Sequence, residues 1–436
     1  MRKVGLYTLG CKVSLYETEA VGEAFERAGF EIAPFDEVCD VYVINTCTVT
    51  AESDAKSRKY IRRAIRKNPD AVVIAIGCYT QRSPEDALKI DGVSAVLGTA
   101  DKLKCVEIAE KLLSDSALSS PNFVTSLDGA TFEPMCIERA PRTRAYVKIE
   151  DGCECKCTYC AISGARGPVR SKLPDEVISE VEGLYKRGTR EIVLTGIETG
   201  SYGADFEEKY DLADLLCELN ERHSCDRVRL GSMAPELLSE RFITRVAKLP
   251  ILTPHFHVSM QSGADKVLHR MKRRYSRKMA LDNINRIRAL MPEVMLTADL
   301  MVGFPGESEE DFLDTMRFVG EAKLLDAHVF AYSKREGTPA ADYPDQIPED
   351  IKHERSAALI AECKRVRDEV LDSVVEGGKM LRVIFETKKG GMLYGHSDSY
   401  IEVYAEGDGE CGEMYLVSPE RHEGGAIYGK IIKKDN

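Results

Sequence analysis

Short apolar runs alternate with longer amphipathic stretches from the first residues onward. The runs that predict strands lie at 4–8, 41–44, 71–76 and 95–97. The run 71–76 is apolar throughout, which is typical of a parallel strand buried on both faces. Helical spacing predicts helices at about 17–28, 54–67 and 102–113. The alternation predicts an N-terminal doubly wound parallel α/β domain in residues 1–120.

The same alternation resumes after a stretch rich in Ser, Pro, Asp and Gly at about 114–143, which we interpret as a linker. Six strands are predicted, at 146–149, 191–195, 227–230, 255–260, 295–301 and 327–332. Helices are predicted between them, at 174–187, 212–222, 235–247, 277–290 and 309–322. This pattern predicts a central partial parallel (β/α)6 barrel in residues 140–370, with its site at the carboxyl ends of the strands.

The last residues have a different texture. Five short strands, separated by Gly-rich turns, are predicted at 381–385, 392–394, 400–404, 414–417 and 426–428. Strands this short and close together predict a small antiparallel β-barrel in residues 371–436, of the type that binds nucleic acid. A structural cap is the alternative.

Composition narrows the setting of the chain. Its 436 residues are 43% hydrophobic and 30% charged, and no apolar run approaches the length of a membrane span. The start lacks the features of a signal peptide, so we expect a cytoplasmic protein with no membrane contact. Its 14 cysteines are then expected to be reduced, as ligands or buried residues.

Charge argues against general adhesion to nucleic acid, because the net charge is −12. Two windows are nevertheless basic, at 56–67 and 270–278. A solvated helix face is the simpler interpretation of either window alone. Two such windows in an acidic chain leave a local contact with a polyanion open.

Four thiols fall within eight residues, at Cys153, Cys155, Cys157 and Cys160. Thiolates this close need a metal to neutralise them. The spacing Cys-x-x-x-Cys-x-x-Cys of Cys153, Cys157 and Cys160 favours a 4Fe–4S cluster with one open iron. A structural zinc site is the alternative, but zinc sites usually use two Cys-x-x-Cys pairs and the sequence has one.

Three further cysteines each follow a predicted strand of the first domain, at Cys11, Cys47 and Cys78. Because carboxyl ends of neighbouring parallel strands share one edge, these thiols are predicted to converge on a second cluster. The alternative is three buried structural cysteines, since free cysteine is often buried.

Polar residues also follow the barrel strands. Gly196 would let a ligand approach the backbone closely, while Glu198, Ser232 and Gln261 could contact a zwitterion or a ribose. His255 and His257 share one strand face, for which packing is favoured over metal binding.

These motifs resemble a known family. The cysteine spacing, with Tyr159 before its last cysteine, resembles the signature of the radical S-adenosylmethionine (SAM) superfamily. The settings of Cys11, Cys47 and Cys78 look like those of the methylthiotransferases within it, and the last barrel resembles a TRAM RNA-binding domain. The segments 10–13, 16–19 and 43–50 look most like the branch acting on threonylcarbamoyl-adenosine in tRNA. The branches acting on isopentenyl-adenosine or on an aspartate of a ribosomal protein fit less well.

The resemblance implies two 4Fe–4S clusters and SAM. Cys153, Cys157 and Cys160 would hold the cluster that reduces SAM to a radical. Cys11, Cys47 and Cys78 would hold the cluster whose sulfur is methylated by a first SAM and passed to carbon 2 of the adenine. The SAM pocket would be formed by Tyr159, Gly196, Glu198, Ser232 and Gln261, with Arg166 or Arg170 on the SAM carboxylate.

Partners follow from the same resemblance. The anticodon stem-loop of tRNA would be held by the basic windows and the TRAM domain, with the target base turned out of its stack. The reaction would also need an electron donor such as flavodoxin or ferredoxin, and a sulfur source. The sequence departs from the family pattern at Ser14, Cys155 and Glu198. A non-catalytic RNA-binding protein with a structural metal is the alternative of another class.

Overall fold

The computed structural model describes residues 1–114 and 120–435. Its first unit is a five-stranded parallel sheet with strand order β2-β1-β3-β4-β5. The strands are β1 (Lys3–Thr8), β2 (Glu31–Ala33), β3 (Val41–Thr46), β4 (Val72–Gly77) and β5 (Ala95–Val96). The helices are α1 (Lys12–Arg27), α2 (Ala51–Lys67), α3 (Cys78–Arg82), α4 (Pro84–Leu88) and α5 (Lys104–Leu113). The doubly wound expectation is confirmed.

Burial explains which of these strands the sequence revealed. Every residue of β3 and β4 is buried, so both appear as apolar runs. Strand β2 was not predicted, because it has three residues and two of them are exposed. It pairs in parallel with the edge of β1 and adds little to the core.

Six parallel strands form the second unit, an open barrel. Its strands and short bridging segments are β6 (Arg144–Lys148), β7 (Glu150–Asp151), β8 (Arg170–Ser171), β9 (Glu191–Thr195), β10 (Arg227–Leu230), β11 (Ser232–Met233), β12 (His255–Gln261), β13 (Met295–Val302) and β14 (Asp326–Ala331). The strands pair in the orders β6-β9-β10 and β11-β12-β13-β14. Only Gly231 separates β10 from β11, so residues 227–233 link the two halves. The partial barrel is confirmed.

Helices cover the outside of this barrel. They are α6 (Ile162–Arg166), α7 (Pro174–Lys186), α8 (Leu212–Glu221), α9 (Glu240–Val246), α10 (Asp265–Arg270), α11 (Arg277–Leu290), α12 (Glu309–Glu321) and α13 (Glu349–Gly377). The predicted helix at 235–247 is divided into a 3-10 turn, Pro235–Leu237, and α9. None of the described helices is long and apolar enough to cross a bilayer.

The predicted linker lies partly outside the described residues, at 115–119. From residue 120 onward it packs against the barrel instead of lying free. Met135 and Ile137 are buried in the barrel core, together with Tyr16 and Ala20 of α1. The first unit therefore shares a hydrophobic core with the second, which fixes the two relative to each other.

Five strands close the C-terminal barrel, in the order β15-β16-β17-β19-β18. They are β15 (Leu381–Lys389), β16 (Met392–Ser397), β17 (Glu402–Glu406), β18 (Met414–Glu423) and β19 (Ala426–Lys434). Four pairs are antiparallel, as predicted, and the pair β17–β19 is parallel. Arg229 of β10 donates to the backbone oxygens of Ser397 and Asp398, which attaches this barrel to the larger one.

Candidate active site

The loop that carries four cysteines is held from several sides. Gly152 has φ +92°, and a Cβ there would lie 1.9 Å from the Pro168 oxygen, so the loop folds tightly against residues 167–168. The Cys153 amide donates to the Gly167 oxygen over 3.0 Å. The Thr158 amide donates to the Met271 oxygen over 3.1 Å. These bonds direct the thiols toward a common cavity.

That space, which we call the cluster cavity, has a volume of about 430 Å³. Its lining includes all four thiols of the loop, together with Tyr159, Glu198, Gln261 and Arg273. Arg273 donates from Nη1 to the Cys157 sulfur over 3.3 Å and from Nη2 to the Ser259 oxygen over 2.8 Å. Clustered thiols with a neighbouring guanidinium fit an anionic iron–sulfur cube.

Cys155 is part of this lining, although the motif does not require it. The Cys153 thiol donates a hydrogen bond to the Cys155 sulfur, and this bond lowers the pKa of Cys155 to about 6. Burial raises the pKa of Cys160 instead. The structure thus presents four thiols to the cluster cavity, one more than the motif requires.

The three N-terminal thiols come together at the carboxyl edge of the first sheet. Cys11 follows β1, Cys47 follows β3, and Cys78 begins α3 directly after β4. A Cβ on Gly10 would lie 3.4 Å from the Cys47 sulfur, which shows how closely the first two turns approach. Burial raises the pKa values of Cys47 and Cys78, and the nearby Cys11 thiol adds to both increases. This set also fits a cluster that uses three cysteines.

Cys78 lies against a buried network of charges. Arg166 donates from Nε to the Cys78 sulfur over 3.2 Å, and its Nη1 lies 2.5 Å from Glu17 and 3.1 Å from Asp151. Lys148 pairs with both carboxylates, over 2.9 and 2.6 Å. Although burial opposes ionisation, these cations hold the pKa of Glu17 well below its usual range.

The excess of positive charge in this network faces Cys78. Lys102, 3.1 Å from Glu17, and Arg170, 3.6 Å from Asp151, add two more cations, so four cations face two carboxylates. Burial raises the pKa of the Cys78 thiol to about 11, while Arg166 acts in the opposite direction. A cluster held here would bring thiolate ligands, and their negative charge would offset these cations. This is the observation that fits a cluster at Cys11, Cys47 and Cys78.

Neither arginine proposed for the SAM carboxylate lines the cluster cavity. Arg166 is fully buried in the network just described. Arg170 donates to the Arg166 and Pro168 oxygens over 2.8 and 3.3 Å. The guanidinium on the cavity is that of Arg273, which sequence reasoning placed only in a basic window. No local sequence motif identifies Arg273, because only the tertiary structure brings its guanidinium to Cys157.

A second cavity, of about 480 Å³, adjoins the first. Cys11, Asp299 and Phe330 line both cavities, so one thiol of the N-terminal set lies on the same cavity as the four loop thiols. Of the predicted SAM contacts, Tyr159, Glu198 and Gln261 lie on the cluster cavity. Gly196 and Ser232 lie on the second cavity instead.

Glu198 is held by backbone groups at the base of the cluster cavity. Its Oε1 accepts from the Ala234 amide over 3.1 Å, and its own amide donates to Glu150 over 2.9 Å. Burial raises the pKa of Glu198 to about 8. Burial therefore favours the protonated carboxyl, which can donate a hydrogen bond.

His255 and His257 belong to a polar cluster inside the barrel. Nε2 of His255 and Nδ1 of His257 lie 3.0 and 2.8 Å from the Thr297 hydroxyl. Asp299 lies 3.1 Å from His257 and 3.2 Å from His328. His257, Asp299 and His328 are residue types that bind divalent transition metals. The sequence did not reveal that Asp299 and His328 lie beside His257.

The two basic windows have different surroundings. In the second, Arg274 donates to the Glu154 oxygen over 3.3 Å, and Arg277 lies 2.7 Å from Asp314. This window thus helps to hold the cysteine loop and the helices around it. In the first, α2 exposes four cations without an ion pair to any described residue: Lys59, Arg62, Arg66 and Lys67.

Family models match two parts of the chain. Residues 147–319 match the model described as the radical SAM superfamily, and residues 3–98 match the uncharacterized protein family UPF0004. Among solved structures, a radical S-adenosylmethionine methyltransferase, TsrM, from Kitasatospora setae superposes with a TM-score of 0.58 at 16% identity. The superposition covers 78% of this chain and 77% of that one, and it shows a common fold.

Curated relatives extend over almost the whole chain. It is 40% identical to the threonylcarbamoyladenosine tRNA methylthiotransferase MtaB of Bacillus subtilis (strain 168), covering 93% of this chain and 91% of the relative. It is 33% identical to the protein of the same name from Aquifex aeolicus, covering 95% and 99%. A tRNA-2-methylthio-N(6)-dimethylallyladenosine synthase of Natranaerobius thermophilus is 31% identical, covering 99% and 97%. The chain therefore belongs to the radical SAM methylthiotransferase family.

Proposed function

We propose that this protein transfers a methylthio group to carbon 2 of threonylcarbamoyladenosine next to the anticodon of tRNA. The observation that carries the proposal is that Cys11, of the N-terminal thiol set, lines the same cavity as Cys153, Cys157 and Cys160. It occurs in a chain that is 40% identical to a threonylcarbamoyladenosine tRNA methylthiotransferase over nearly its full length. The activity is assigned to residues 1–120 and 140–370, and tRNA binding is extended to residues 371–436.

The cofactors are SAM and two 4Fe–4S clusters. Cys153, Cys157 and Cys160 are proposed to hold one cluster, and Cys11, Cys47 and Cys78 the other. Bound there, they supply the radical and the sulfur that an inert aromatic C–H bond requires.

The protein's own residues prepare the site for these groups. Arg273 and Arg166 each place a guanidinium on one cysteine sulfur, Cys157 and Cys78, over 3.3 and 3.2 Å, where it would compensate for the negative charge of a bound cluster. Glu198, neutral at pH 7, adds no further negative charge to the cluster cavity. We assign Tyr159, Glu198 and Gln261 to the SAM side of the cavity, and Gly196 and Ser232 to the side that faces the substrate.

The partners are a tRNA anticodon stem-loop, a reductant such as flavodoxin or ferredoxin, and a source of sulfur. The exposed cations of α2 are suited to phosphate contacts, which make binding depend on salt. We place the protein in the cytoplasm, where its free cysteines stay reduced.

Nucleoside mass spectrometry of tRNA tests this proposal. A strain that lacks the gene is complemented with the wild type, with Cys47→Ala or with Cys105→Ala. Cys105 is a buried cysteine of α5 outside both thiol sets and serves as the matched control. We expect methylthiolated threonylcarbamoyladenosine with the wild type and the control, and none with Cys47→Ala.

Other outcomes separate the alternatives. Methylthiolation of isopentenyladenosine, or of a ribosomal-protein aspartate, would transfer the function to another branch. An unchanged modification profile in the deletion strain would leave a non-catalytic RNA-binding role and contradict the proposal.

A further inference from the structure

The second cavity contains Cys11 and adjoins the cluster cavity, on which the four loop thiols lie. It shares Cys11, Asp299 and Phe330 with the cluster cavity, and it continues between the large barrel and the C-terminal barrel as far as Tyr400. At about 480 Å³ it has the size of a small-molecule pocket. A nucleobase at the junction would therefore have room for a substituent on the side away from the cluster cavity.

Most charged side chains that line this cavity already have partners. Arg229 lies 3.1 Å from Glu191, and Arg367 lies 3.3 Å from Asp326. Asp299 accepts hydrogen bonds from His257 and His328. Their charges are thus compensated without a ligand.

Lys12 is the exception. It is half-buried at the first position of α1, next to Cys11, and lines the second cavity. None of the residues in 1–114 and 120–435 forms a hydrogen bond or a close ion pair with its ammonium group. Burial, together with the nearby Arg229 and Arg144, lowers the pKa of Lys12, and Asp299 opposes this only from beyond ion-pair distance. A half-buried cation without a partner is costly unless an anion enters beside it.

The junction also carries an exposed ring. The Phe330 side chain is 47% exposed although it lines both cavities, and the ring of His328 lies 6.3 Å from it. Both belong to β14, the edge strand of the open barrel. Exposed aromatic rings stack on bases that have left the helix stack.

We propose that the second cavity binds the N6 substituent of the target nucleoside and that Lys12 pairs with its carboxylate. The threonylcarbamoyl group ends in a free carboxylate, whereas an isopentenyl group has no charge. Phe330 would support the adenine at the junction, with the substituent directed toward Lys12. The inference rests on the proposed function, and it makes Lys12 the residue that selects an acidic substituent.

The test uses two anticodon stem-loops and the reconstituted holoenzyme. One stem-loop carries threonylcarbamoyladenosine, and the other carries the uncharged threonine amide analogue. Dissociation constants are measured anaerobically without reductant, and KM and kcat are measured with it. The wild type should prefer the carboxylate by about 10- to 100-fold in binding and in KM, the range of a charged hydrogen bond.

Substitutions then assign this preference. Lys12→Gln should bind both stem-loops equally, and Lys12→Arg should keep part of the preference. Lys12→Met, with a side chain of similar length, replaces Lys12→Gln if that variant loses iron. Lys89→Gln removes an exposed lysine paired with Asp86 and should leave the preference unchanged.

Three results would overturn the inference. They are a wild type without preference, a preference that survives in Lys12→Gln and Lys12→Met, and an equal loss of affinity for both stem-loops, which would make a backbone phosphate the partner. Failure of the proposed function is distinct, because the wild type would then methylthiolate neither stem-loop.

Discussion

The two thiol sets are assembled in opposite ways. Cys153, Cys157 and Cys160 occupy one loop and face a cavity from it. Cys11, Cys47 and Cys78 come from three turns of a parallel sheet, and two of the three are buried. The first set needs only local spacing, whereas the second exists only once the sheet has formed.

Their arginines differ in the same way. Arg273 is half-buried and lies on the cluster cavity beside Cys157. Arg166 is sealed in a network that joins Glu17 of the first unit to Asp151 of the barrel. The site beside Arg273 is therefore arranged for access by a small molecule. The site beside Arg166 is anchored between two units of the fold.

Removing one thiol from each set should have the largest effect and tests whether the two sets have separate roles. Cys157→Ala and Cys47→Ala should each abolish methylthiolation and lower the iron content from about eight to about four per chain. Cys157→Ala should also abolish reductive cleavage of SAM, and Cys47→Ala should retain it. Iron analysis, deoxyadenosine formation and nucleoside mass spectrometry measure these effects. Equal loss of SAM cleavage in both variants would contradict two separate roles.

Replacing Arg166 and Arg273 tests whether the first arginine serves mainly stability and the second mainly the reaction in the cluster cavity. Arg166→Met should lower the free energy of unfolding by about 3–5 kcal/mol, because it leaves the buried Glu17 and Asp151 with fewer partners. Arg273→Met should have a smaller effect on stability and instead reduce SAM cleavage. Denaturant unfolding and deoxyadenosine formation check both variants. Comparable destabilisation by the two would remove the distinction.

Glu198 gives a pH test of the cluster cavity. Because burial raises its pKa from 4.5 to about 8, the folded protein prefers the neutral carboxyl. The stability from this preference is complete below pH 4.5 and is lost as pH rises toward 8. Glu198→Gln should lack this loss, so its free energy of unfolding should exceed that of the wild type by on the order of a few kcal/mol at pH 8. If the free energies of unfolding of the wild type and Glu198→Gln changed with pH in parallel between pH 5 and 8, the raised pKa of Glu198 would be contradicted.

Cys155 should show the smallest effect. Cys155→Ser leaves three thiols on the cluster cavity, so the iron content should remain at about eight per chain and methylthiolation should stay within about twofold of the wild type. In iron-free protein, alkylation of Cys155 should rise with pH through about 6. Loss of about four irons in Cys155→Ser would instead make Cys155 a ligand.

Sequence patterns predicted what depends on local order. The strand positions, the three-part organisation and the cysteine loop all followed from apolar runs and spacing, because each is written in neighbouring residues. Strand β2 was missed, since two of its three residues are exposed. The linker at 114–143 was interpreted from composition, which did not show that Met135 and Ile137 enter the barrel core.

Long-range side-chain contacts could not be predicted. Arg166 and Arg170 were candidates for the SAM carboxylate, but Arg166 is bound to Glu17, Cys78 and Asp151. Arg273 reaches Cys157 across 116 positions of the chain. Asp299 contacts His257 and His328, which lie on the two neighbouring strands. Such contacts depend on the register of the barrel, which periodicity does not encode.

The central claim is that three cysteines from separate turns hold a second cluster beside the first. Mössbauer spectroscopy of the anaerobically reconstituted triple variant Cys153→Ala, Cys157→Ala and Cys160→Ala tests it most directly. We predict the spectrum of one 4Fe–4S cluster with about four irons per chain, held by Cys11, Cys47 and Cys78. A folded triple variant without iron would contradict the claim.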